Sequence, residues 1–150
     1  ARGTAVWILR FEVIEQIGHQ KIHVVGNKIY LSINKKSSLE DKSLVLDRFY
    51  RAELSRYLEG LMAHWQGVMG VQASAFGIKR MKTRWGSCNT GTKKVWFNLA
   101  LAKKPVMCVE YVVVHELAHL LEPSHNYRFK AYMDQFMPDW RERRVLLNQS

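Results

Sequence analysis

Cysteine, proline, acidic residues and long apolar runs are all scarce in this chain of 150 residues. Each shortage excludes something. Two cysteines, Cys88 and Cys108, are too few for a disulfide-stapled scaffold, and they fit a reduced, cytoplasmic setting. No apolar run approaches the roughly 20 residues that cross a bilayer, so no membrane span is expected. The stretch Ala5–Leu9 is also too short for a signal-peptide core. The three prolines all lie in the C-terminal third, where they punctuate helices. There is no internal repeat, low-complexity tract or linker, and no glycine-rich phosphate loop.

Thirteen acidic residues face 23 lysines and arginines, a formal charge of +10. Such an excess favours polyanionic partners, nucleotides or nucleic acid, or else simply keeps a solvated surface basic. Hydrophobic residues at 47% and charged residues at 24% are ordinary for a globular chain, which excludes wholesale disorder. A single domain over 1–150 is expected, with N-terminal strands over 1–36 and a helical, metal-binding part over 37–150.

Residues 6–33 read as strands, with Gly26-Asn27 between Ile22–Val25 and Ile29–Ile33 as a hairpin turn. Residues 37–66 read as one helix. Ser37 and Glu40 have capping-box spacing, and Leu46, Tyr50, Leu54, Leu58, Leu61 and Trp65 recur on one face. Gly67 and Gly70 are its expected stops. A second β region, Phe76 to Trp85 and Val95 to Leu99, encloses the turn Asn89-Thr90-Gly91. Further helices are expected over 105–121, from Asn126 to Met137, and from Pro138 toward Leu147.

The segment richest in chemistry is His115-Glu116-Leu117-Ala118-His119, an H-E-x-x-H pattern on a predicted helix. Histidines four apart share a helix face and direct both imidazoles at one ion. Glu116 sits about 100° further round, within reach of a water on that ion. The helix is otherwise apolar nearly all round and therefore buried. A stripe of His115, Glu116, His119 and Glu122 on such a helix is costly unless its groups are paired or hold a metal. His125, six residues past His119 and beyond the Pro123 break, is the natural third ligand, with Glu122 as its competitor. Three protein ligands would leave a fourth position for water, the mark of a catalytic site. Neither cysteine reads as a ligand, and Cys108 reads as core.

Together with Phe129, Asn98 and the run Arg84-Trp85-Gly86-Ser87-Cys88, these histidines resemble the YgjP-like metallopeptidase family, a neighbour of the SprT-like proteins. The resemblance covers roughly residues 45–145. It implies a zincin-like, helix-rich α+β fold with a small antiparallel sheet over the H-E-x-x-H helix. It also implies a zinc-dependent hydrolase, with Zn2+ on His115, His119 and His125 and with Glu116 as the base.

The expected reaction is peptide-bond hydrolysis by Glu-assisted attack of water, with a peptide or protein as substrate. Nucleoside triphosphate pyrophosphohydrolysis on the same metal site is the alternative. A third reading is a nucleic-acid-associated protease, using a basic, aromatic patch of Lys79, Arg80, Lys82, Arg84, Lys93 and Lys94 around Trp85 and Trp96. On an alternating strand Arg80, Lys82 and Arg84 would share one face. From there Arg84 is expected to bind a substrate carboxylate or phosphate, or else to protect a solvated edge strand. Tyr127, Arg128, Tyr132 and Arg84 are the candidates for stabilising the oxyanion, with Tyr127 and Arg84 as the expected substrate contacts.

Overall fold

The computed structural model describes residues 12–17, 21–33 and 39–149. Three N-terminal strands, β1 (Glu12–Ile17), β2 (Lys21–Val25) and β3 (Lys28–Ile33), form a sheet of order β1-β3-β2. β2 and β3 pair antiparallel across Gly26-Asn27, and β1 runs parallel to β3. Gly26 has φ +60°, so the turn needs the residue without a Cβ at its first central position. The expected strand residues 6–11 and 18–20 lie outside the described residues, as does the capping serine Ser37.

Helix α1 (Leu39–Met69) follows. Tyr50, Leu54, Leu58, Met62 and Met69 bury one face, the stripe that its spacing sets. Gly67 does not end it. The helix runs on to Met69, and Gly70, with φ +68°, provides the left-handed residue that closes it.

The second sheet contains β4 (Ala75–Lys79), β5 (Gly86–Asn89) and β6 (Lys94–Asn98), in the order β4-β6-β5. It is mixed rather than antiparallel throughout: β5 pairs antiparallel with β6, whereas β4 runs parallel to it. The expected strand Phe76–Trp85 stops at Lys79. Residues 80–85 form an irregular loop because Asn98 competes for their backbone. Its Nδ2 donates to the carbonyls of Met81 (2.9 Å) and Arg84 (2.8 Å), and its own N–H donates to the Trp85 carbonyl (2.9 Å). Arg80, Lys82 and Arg84 therefore do not share a strand face. Arg80 instead pairs with Asp47 on α1 at 2.7 Å.

A 3-10 helix (Leu99–Lys103) leads to α2 (Val106–Ala118), α3 (Tyr127–Phe136) and α4 (Trp140–Leu147). Helix α2 is the centre of the molecule. Val109, Val113 and Leu117 are fully buried, and the helix packs against α1, α3, α4, β5 and β6. At about 1.5–3 kcal/mol for each large apolar side chain removed from water, α2 is the chief anchor of the fold. Cys108 is buried in this core, as expected. A polar clasp fixes the surrounding helices. Glu110 of α2 accepts from Trp65 Nε1 of α1 (2.9 Å) and from Arg143 Nη1 of α4 (2.8 Å), while Arg143 Nε also reaches Asp139 at 3.1 Å. None of the described helices is long and apolar enough to cross a membrane.

Candidate metal centre and active site

His115 and His119 lie one turn apart near the end of α2, and His125 follows on the connection to α3. Donor atoms of the three side chains lie within 4.8 Å of one another, so the three together could hold a metal ion. Local sequence builds this convergence. Helix α2 gives out into turns after Ala118, Pro123 redirects the chain, and Asn126 then caps α3 by accepting from the N–H groups of Arg128 and Phe129 (3.0 and 3.1 Å). That cap sets Phe129, 4% exposed, beneath the cluster. Its ring stacks on His119 at 4.6 Å and meets His115 and His125 edge-on at 5.0 Å each. Phe129 is thus the floor on which the three imidazoles stand.

Electrostatics favour neutral rings at His119 and His125. Burial holds His119 below the usual imidazole range, helped by the neighbouring charges of His115 and His125. Burial and the charge of His115 do the same for His125. The His119 Nδ1 lies 3.3 Å from the Glu122 carbonyl and 3.1 Å from the Pro123 carbonyl. Carbonyls only accept, so Nδ1 carries the proton and Nε2 keeps its lone pair for a cation. Glu116 is 5% exposed, and its Oε2 lies 3.1 Å from His115 Nδ1.

Glu122, the rival third ligand, is turned elsewhere. Its carboxylate accepts from the Ser124 N–H at 3.2 Å and faces Arg128 at 3.8 Å. Its oxygens are outside the histidine group.

The cluster opens into a cavity of about 460 Å³ lined by residues from four segments. The lining comes from the loop and strand 84–88, from α2 and its C-cap His119, from Pro123 and His125 on the connection to α3, and from Arg144, Leu147 and Asn148 at the end of α4. Gly86 makes the close wall. A Cβ there would lie 3.0 Å from the Trp96 carbonyl oxygen, 3.0 Å from Val112 Cγ1 and 3.1 Å from Glu116 Cγ. Trp85 both packs against the core and donates its Nε1 to Asn148 Oδ1 at 3.1 Å. Cys88 also lines the cavity, and burial, with the Glu116 charge, pushes its thiol up to about 11. It is therefore a protonated thiol near neutral pH.

Of the expected substrate contacts, Arg84 lines the cavity and Tyr127 does not. Tyr127 is the first residue of α3, 75% exposed, with Arg128 over its ring at 5.6 Å. Arg128 and Tyr132 are likewise absent from the lining, so Arg84 is the oxyanion candidate that the fold brings near. Three polar lining residues, Tyr111, Arg144 and Asn148, were missed in the sequence. Tyr111 precedes His115 by one turn, so helical periodicity already placed it on the same face. Arg144 had no local signal, because its position depends on how α4 docks. The basic patch on the second sheet is self-occupied: the ammonium groups of Lys79 and Lys94 lie 4.4 and 4.2 Å over the Trp96 ring.

The molecule is helix-rich α+β, with a small mixed sheet against the helix that carries His115 and His119. Solved structures share this fold. The metallopeptidase zymogen of Pyrococcus abyssi abylysin is 21% identical, with a TM-score of 0.54 over 60% of this chain and 92% of that one. The metallopeptidase zymogen of Methanocaldococcus jannaschii jannalysin is 19% identical, with a TM-score of 0.53 over the same 60% and 92% shares. At these identities the likeness speaks for the fold. The YgjP-like metallopeptidase domain matches residues 7–150, and the chain belongs to that family. No curated protein sequence matches it.

Proposed function

We propose that the chain is a zinc-dependent peptidase in which His115, His119 and His125 hold the ion and Glu116 is the general base. The observation that carries this reading is the convergence of three imidazoles within 4.8 Å beside a buried carboxylate in a cavity wall. These residues fit the ion. Neutral imidazoles are zinc's common nitrogen donors, three of them leave one position open, and the backbone carbonyls at His119 Nδ1 are the kind of outer partner that orients such a ligand. Bound there, zinc supplies Lewis acidity toward a scissile carbonyl and toward water.

The chain's own groups do the rest. Glu116 accepts a proton from the attacking water and returns it to the leaving amine, a role worth about 10²–10⁴-fold. The low exposure of Glu116 keeps competing water from its carboxylate. Strand β5 pairs only with β6 among the described residues, so its outer edge offers backbone groups to an extended peptide. Gly86 brings that edge close to Glu116.

Metal analysis of the purified protein followed by a parallel hydrolysis screen tests this. The expected result is zinc in the protein, and peptide turnover that a chelator abolishes and zinc restores. Turnover of nucleoside triphosphates with none of peptides would replace this reading with the pyrophosphohydrolase one.

A further inference from the structure

Helix α4 carries three arginines, and the fold treats them differently. Arg141 pairs with Asp134 at 2.8 Å. Arg143 pairs with Glu110 at 2.8 Å and Asp139 at 3.1 Å. Arg144 has no carboxylate partner among the described residues; its guanidinium lies 5.0 Å over the Trp140 ring and borders the histidine cavity. The same holds for Arg84. Asn98 pins its carbonyl, while its side chain is exposed on the cavity wall with no acidic partner.

The cavity therefore joins two uncompensated guanidinium groups to one acid, Glu116, which is buried against His115. Tyr111 lines the same cavity and adds an O–H donor. Unpaired guanidinium beside a reaction centre is a demand for an anion. The planar fork of arginine matches a carboxylate with two parallel hydrogen bonds. The +10 charge of the chain also draws acidic molecules toward it.

We propose that Arg144 and Arg84 form a carboxylate-recognising subsite beside His115, His119 and His125, so that the preferred substrate is a peptide with a carboxylate next to the scissile bond. This rests on the peptidase reading. The carboxylate belongs either to an acidic side chain or to the substrate's own C-terminus, and both present the same group.

The test uses the zinc-loaded protein and one fluorogenic peptide in four forms, with Glu or Gln beside the cleaved bond and a free or amidated C-terminus. A form with the recognised carboxylate should show kcat/KM about tenfold above its amide counterpart, the effect of one solvent-screened, charge-assisted hydrogen bond. Which pair differs tells side chain from C-terminus. Arg144→Gln and, separately, Arg84→Gln should each shrink that ratio toward one, and Arg144→Glu should shift the preference toward a Lys-bearing peptide. Both positions are exposed, so the variants should fold. Binding of the same peptides to zinc-loaded Glu116→Gln protein, by fluorescence anisotropy, gives a readout without turnover. Acid-selective binding with no cleavage by the wild type would sink the peptidase reading and leave the subsite standing. Equal binding and turnover of acid and amide forms, or a ratio that both arginine variants leave unchanged, would overturn the subsite. So would tight binding of a nucleoside triphosphate that the same variants lose, with no acid preference among peptides.

Discussion

Replacing Gly86 by alanine should separate the chemistry of this site from its metal binding. The added methyl would sit 3.0 Å from the Trp96 carbonyl oxygen, 3.0 Å from Val112 Cγ1 and 3.1 Å from Glu116 Cγ. Carbon contacts are comfortable near 3.5–4.0 Å, so about half an ångström must be found. Either β5 lifts from α2 or the Glu116 side chain swings away. Overpacking of this kind destabilises by about 1–3 kcal/mol, and the stiffer unfolded chain returns about 0.4–1 kcal/mol. The net is about 0–2.6 kcal/mol, a fall in Tm of up to about 10 °C for a chain of this size. The displaced atoms belong to Glu116, the proposed general base, and to the edge strand, so activity should fall more than stability, by about 10–100-fold in kcat/KM. The three histidines are not among the crowded groups, so zinc content should hold. Thermal unfolding, metal analysis and peptide kinetics on one preparation read all three. Adding Val112→Ala removes one of the three contacts and should restore part of the loss. Wild-type Tm and wild-type activity together would refute the close-approach argument, as would loss of metal with activity retained.

Other expectations follow from the same geometry. His125→Ala should release zinc at far lower chelator concentration than Glu122→Ala, because Glu122 is engaged by Ser124 and Arg128; the reverse order would make Glu122 the third ligand. In the metal-free protein, burial holds His119 and His125 below 6.5. The unfolded chain then binds more protons than the folded one as pH drops through 6.5, so stability is present above that pH and lost below it. Thermal unfolding of the chelator-treated protein from pH 8 to pH 5 should show Tm falling, and a Tm that rises toward pH 5 would contradict the burial argument. Zinc retention should fall over the same range, since protons compete for the imidazoles.

What the sequence disclosed about this site was mostly local. His115, His119 and Glu116 follow from one turn of helix, and a polar stripe on an otherwise buried helix demanded a reason. The turn at Gly26-Asn27 and the start of a helix near Asn126 were also legible, because turns and helix ends are read within a few residues. The errors arose where distant residues decide. The alternation of Arg80, Lys82 and Arg84 mimics a strand, but Asn98 takes the backbone of that segment from 14 and 17 positions away. The parallel pairing of β4 with β6 is non-local in the same way. Tyr127 follows the third histidine in sequence, yet as the first residue of α3 it faces solvent. Arg144 reaches the cavity because Arg143 clasps Glu110, a contact spanning 33 positions.

The proposed peptidase chemistry turns on Glu116 moving the proton while the histidines hold the metal. The most direct measurement is kcat/KM for peptide hydrolysis by Glu116→Gln protein at a zinc content matched to the wild type. Glutamine keeps the shape of the buried side chain but cannot accept the proton from water. Zinc content and Tm should be unchanged, with kcat/KM down by about 10²–10⁴-fold. Turnover equal to the wild type at equal zinc content would contradict that role of Glu116.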